Sequence, residues 1–160
     1  MADIFSVSNC ISRDSTDLNK YVPNNQYYMF DTPEIIENLA SEENIDLSES
    51  ALFYYEVYEY EFNGDSKEWV AFTPNTSIGA NVQIPADKQL QGFDVATFSV
   101  NLSVECSPLS CNSLANKIPV NQHCLFNRFE EAKAALEQGL FECSEPGPYR
   151  IFAVYTIGSR

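Results

Sequence analysis

The 160-residue chain is 44% hydrophobic, 13% aromatic and 20% charged, with 9 Lys and Arg against 23 Asp and Glu and a formal net charge of −14. That length forms one domain able to bury roughly 70% of its unfolded surface, and the aromatic content excludes a disordered polymer. The charge excludes a basic nucleic-acid binder, and no apolar run approaches the ~20 residues of a membrane-spanning helix.

The first residues, Met1 to Phe5, carry no basic flank and no long apolar stretch, so no signal peptide is expected. Phe5 to Cys10 alternates apolar and polar residues as a half-buried strand does. Ile11 to Asn25 is polar and turn-rich, and Gln26 to Phe30 reads as a short strand. Asp31-Thr32-Pro33-Glu34 opens a helix. Asp31 or Thr32 accepts the free backbone N–H groups, Pro33 suits the first turn, and Glu34 meets the positive end of the dipole. Ile35, Ile36, Leu39 and Ala40 give that helix one apolar face, and Ser41 to Ser50 reads as a loop with room for a helical turn.

Ala51 to Phe62 is the strongest strand signal, rich in aromatics and free of Gly and Pro. One face carries Leu52, Tyr54, Tyr58, Tyr60 and Phe62, interrupted by Glu56; the other carries Phe53, Tyr55 and Val57, then Glu59 and Glu61. Asn63-Gly64 is expected to supply the positive φ angles of a tight hairpin, with Glu68 to Thr73 returning antiparallel. Asn81 to Ile84 reads as an edge strand and Val95 to Val104 as a half-buried one. Cys106 to Pro119 is expected to be irregular, and His123 to Phe126 a short strand. Asn127 caps a second helix with Glu130 in capping-box position; Phe129, Ala132 and Leu136 line it, and Gly139 stops it. Glu145-Pro146-Gly147-Pro148 is a turn, and Tyr149 to Ile157 closes the chain as a strand.

The expected fold is therefore a single α+β domain over residues 1–160, mainly antiparallel sheet with two short helices. The order of elements also raises an internal duplication, with related halves at 1–85 and 90–160. Asn19, Lys20, Pro23, Asn25, Gln26, Phe30 and Glu34 recur as Asn116, Lys117, Pro119, Asn121, Gln122, Phe126 and Glu130. Val57-Tyr58 recurs as Val154-Tyr155 after a one-residue shift.

Charge and thiols bear on function. Twelve carboxylates and one base, Lys67, lie between Asp31 and Glu68, a local balance of −11. Such asymmetry makes a directional field that steers a basic partner over a Debye length, ~8 Å at physiological salt. Five cysteines (10, 106, 111, 124 and 143), an odd number, read as reduced thiols in a cytoplasm. Their spacing gives no zinc set: Cys106 and Cys111 have four residues between them, and His123 and Cys124 are adjacent and point apart. No metal and no cofactor is expected.

Three constellations stand out. Glu56, Tyr58, Glu59, Tyr60 and Glu61 interleave rings with carboxylates, a pattern suited to a basic protein surface, although aromatic ladders on sheets are more often packing. Cys111 with His123 has the residue types of an activated thiol, Asn121 orienting the ring and Glu145 as an accessory carboxylate; Cys106 fits as well. That loop is more often built of caps and packed thiols. The preferred expectation is an acidic, cytoplasmic, non-catalytic binding protein of the inhibitor or immunity-protein type. It would cap a basic protein partner, touching neither nucleic acid nor membrane. The alternatives are a thiol enzyme on the 105–123 segment and a self-associating structural module, a homo-oligomer.

Overall fold

The computed structural model describes residues 32–48, 51–72, 84–97, 107–111, 113–144 and 147–158, with backbone alone for Ser110 and Cys111. Its elements are α1 (Pro33–Glu42), β1 (Phe53–Asn63), β2 (Glu68–Ala71), β3 (Gln89–Thr97), the one-turn α2 (Pro108–Cys111), a 3-10 turn (Leu114–Asn116), α3 (Phe129–Glu137) and β4 (Tyr149–Thr156). The four strands form one antiparallel sheet in the order β2-β1-β4-β3. The fold is α+β, mainly sheet, as the run of strand signals and the two helical segments imply. The expected strands at 5–10 and 26–30 lie outside the described residues. So do residues 19–31, on which the comparison of the two halves rests.

β4 is central, and its sequence shows why. Tyr149, Arg150, Ile151, Phe152 and Val154 are all buried, so apolar residues point to both faces. Ile151 and Tyr149 face α3, whose Ala132, Ala135 and Leu136 are buried in the same cluster. α3 starts one residue later than expected. Arg128, not Asn127, is the N-cap, and the Glu131 carboxylate accepts its backbone N–H at 3.3 Å and its guanidinium at 2.8 and 2.9 Å. Gly139 ends the helix as expected, at φ +74, where a Cβ would lie 2.5 Å from the Glu142 carboxylate.

α1 starts where Thr32-Pro33 places it, although the Thr32 side chain makes no capping bond, and it runs to Glu42, a little beyond Ala40. The turn after β1 differs from expectation. It has four residues, Gly64 to Lys67; the Lys67 N–H donates to the Asn63 carbonyl at 2.8 Å, and the left-handed residue is Lys67 (φ 57), not Gly64. The Asn63 side chain accepts the N–H groups of Asp65 and Ser66 at 2.9 and 3.0 Å. A two-residue turn would set Phe62 opposite Asp65. The longer one sets it opposite Trp69, ring centroids 5.1 Å apart, and so buries two aromatic side chains together.

The stretch expected to be irregular carries two core anchors, Leu109 on α2 and Leu114 on the 3-10 turn, 1% and 7% exposed. Residues 123–126 are not a strand. They form a turn in which Cys124 is left-handed (φ 61), with one bridge from Phe126 to Phe93. Gly92 explains the docking: at φ +148, its missing Cβ would meet Leu125 Cβ and the Phe126 carbonyl oxygen, both at 2.7 Å. β3 begins at Gln89, earlier than expected, with a register shift between Leu90 and Gly92; its continuation past Thr97 lies outside the described residues. Of the expected edge strand at 81–84, residues 81–83 lie outside the described residues; Ile84 is 69% exposed and belongs to no strand.

Candidate functional site

The long strand β1 divides its aromatic and acidic residues among three environments. Tyr58 faces α3 and is packed by Phe129, Tyr60 and Trp69, with ring centroids at 4.7, 5.4 and 5.8 Å. It is half-buried at the margin of the core. Tyr60, further along, is 36% exposed. Glu59 and Glu61 alternate with these rings on the reverse face, where Glu61 stands opposite Val70, 47% exposed. Glu68 and Asp65 complete the hairpin. Among the described residues none of these four carboxylates has an ion-pair partner.

Glu56 is different. It closes an ion pair with Lys88 and accepts the Tyr155 hydroxyl at 2.8 Å. The Lys88 ammonium lies 5.0 Å from the Tyr54 ring centroid and 4.5 Å from that of Tyr155. The hydrogen bond from Lys88 holds the Glu56 carboxyl below its ordinary range, and the same bond holds the Lys88 ammonium above its own. Desolvation, then the neighbouring carboxylate, raises both tyrosines. Glu56 is therefore committed to an internal partner. Lys88 was not legible as part of a site, because a single base 32 residues from its carboxylate leaves no local pattern.

The thiol segment is arranged otherwise. Cys111 ends α2, and its side chain is outside the described atoms, as are Glu145 and Cys106. His123 is half-buried with Nε2 3.2 Å from the Gln122 side-chain nitrogen. Both ends of the Asn121 amide are occupied in fixing the loop. Nδ2 donates to the Gln91 carbonyl at 2.8 Å, and Oδ1 accepts the N–H groups of His123 and Leu125 at 2.9 and 3.2 Å. That side chain serves loop geometry here. A cleft of about 480 Å³ opens at the hairpin end, lined by Asn63, Lys67, Glu142, Ser144, Pro148 and Tyr149. A Lys67–Glu142 ion pair of 2.9 Å lies among these residues.

Among the described residues no three His, Cys, Asp or Glu side chains converge as a metal site, and no helix is long and apolar enough to cross a membrane. Set against known protein families, curated proteins and solved structures, the chain matches none.

Proposed function

We propose that the chain is an acidic, non-catalytic binding protein of the cytoplasm, of the inhibitor or immunity-protein kind, whose β1–β2 hairpin caps a basic surface of a protein partner. One observation carries this reading. The hairpin presents Glu59, Glu61, Asp65 and Glu68 without ion-pair partners among the described residues; Glu59, Glu61 and Glu68 share one face with the exposed Val70, and Tyr60 is exposed on the other. Unpaired carboxylates beside an exposed valine suit fast, steered encounter followed by desolvated contact. The balance of −11 from Asp31 to Glu68 supplies the field.

The test starts with affinity capture from the native cytosol, partners identified by mass, followed by association kinetics. With the captured partner, Glu59→Lys plus Glu61→Lys is expected to slow association about tenfold and to flatten its salt dependence. Tyr60→Ala is expected to speed release with little change in association. Equal binding at about 50 mM and about 500 mM salt, with the double substitution silent, would reduce the acidic face to a solubility device.

A further inference from the structure

Tyr54 on β1 and Tyr155 on β4 stand directly opposite each other, ring centroids 5.9 Å apart and planes tilted by 48°. Glu56, two residues along the same face of β1, is tied to this pair through the Tyr155 hydroxyl. The three walls therefore sit on two hydrogen-bonded strands, preorganised before any cation arrives. Their occupant, Lys88, comes from neither strand; it lies just before β3. The site is open to solvent, the Lys88 and Glu56 side chains being 24% and 41% exposed. Apolar surface adjoins it. Leu90, paired with Tyr155, is 48% exposed, and a cavity of about 170 Å³ between Tyr58, Phe93, Phe129 and Ile151 has Glu56 in its wall.

An ammonium over two aromatic faces with a carboxylate behind it is the chemistry by which alkylammonium groups are recognised. We propose that Tyr54, Glu56 and Tyr155 form a cation cage for a lysine side chain, methylated or not, of the basic partner. Lys88 is its built-in occupant, displaced when the partner's ammonium enters. Exchanging one ammonium for another conserves the contacts, so the obstacle is the high effective concentration of a tethered competitor. A partner already held by the hairpin is tethered too, and overcomes it; a free small cation does so only at about tenfold higher concentration. The inference rests on the capping reading for the partner's basic character and for its tethering at the hairpin.

The experiment needs no partner, so its failure is distinct from failure of that reading. Tetramethylammonium chloride and Nα-acetyl-lysine methylamide are titrated into the full chain, and the tyrosine ring resonances are followed by NMR. Lys88→Met removes the competitor, and saturable shifts at Tyr54 and Tyr155 are expected with affinity at least about tenfold above wild type. Adding Glu56→Gln should weaken that binding about tenfold. Tyr60, exposed outside the cage, should not shift. A folded Lys88→Met chain with no saturable shift overturns the proposal, as does equal binding after Glu56→Gln or an equal response at Tyr60. Lys88→Gln is the second variant. Should neither fold, the wild-type chain decides at about tenfold higher probe concentration, where cage shifts are required and their absence is fatal.

Discussion

The two flanks of the sheet use similar residues to opposite effect. On the β3–β4 flank, every residue from Asp94 to Thr97 is buried and Val95 is fully enclosed, because α3, α2 and the 121–126 loop cover it. On the β1–β2 flank, only Trp69 of the four β2 residues is even half-buried, and Glu68, Val70 and Ala71 are exposed. Both flanks carry β-branched and aromatic side chains. Coverage separates them, not composition. One flank is committed to stability, while the other leaves side chains exposed to solvent.

The sharpest way to break this comparison is a matched pair of truncations. Ile151→Ala, at 1% exposure under α3, is expected to cost about 3–4 kcal/mol, read as a lower urea midpoint at constant slope. Val70→Ala, at 47% exposure, should change stability by less than about 0.5 kcal/mol. Similar losses at the two positions would show that the hairpin is as integral to the core as β4.

Trp69 ties the hairpin to α3. Its ring packs on Tyr58 and Phe62, and its indole N–H donates to Glu137 of α3 at 2.9 Å. Trp69→Phe keeps much of the apolar contact and loses the hydrogen bond, so a loss of about 1–2 kcal/mol is expected by the same denaturation measurement. No loss would detach the hairpin from α3 energetically.

The smallest expected effect concerns pH. Glu56 titrates below its ordinary value of 4.5 because Lys88 and the tyrosine hydroxyls stabilise its charge. Its contribution to stability is thus present above 4.5 and lost as pH falls through the lowered folded value. Lys88 titrates above 10.5, so its contribution is present below 10.5 and lost as pH climbs through the raised value. Glu56→Gln should therefore be less stable than wild type between these limits, with the difference closing at both ends, as urea midpoints against pH will show. A difference independent of pH would assign the effect to packing.

Much of the candidate surface was visible in the residues. The charge between Asp31 and Glu68 and the interleaved Tyr and Glu of β1 are local facts, as is the alternation that puts Glu59 and Glu61 on one face of the strand and Tyr60 on the other. Glu56 and Tyr58 share that pattern yet are engaged inside the molecule, because what covers a strand position depends on residues far along the chain. Lys88 is 32 residues from Glu56, and Tyr155 is 99 residues from it.

By itself the sequence determined the elements whose signals are periodic or punctuated: β1, β4, the start of α1, and α3 with its Gly139 stop. Only the tertiary structure decided the hairpin register, where burying Trp69 against Phe62 outweighs the Asn63-Gly64 turn preference. It also decided the docking of residues 121–126 over the Cβ-less Gly92, and the burial of Leu109 and Leu114 from a stretch with no period. The physical reason is common to all three. Periodicity reports which face of an element is apolar, whereas burial and ion pairing are set by whichever distant segment packs against that face.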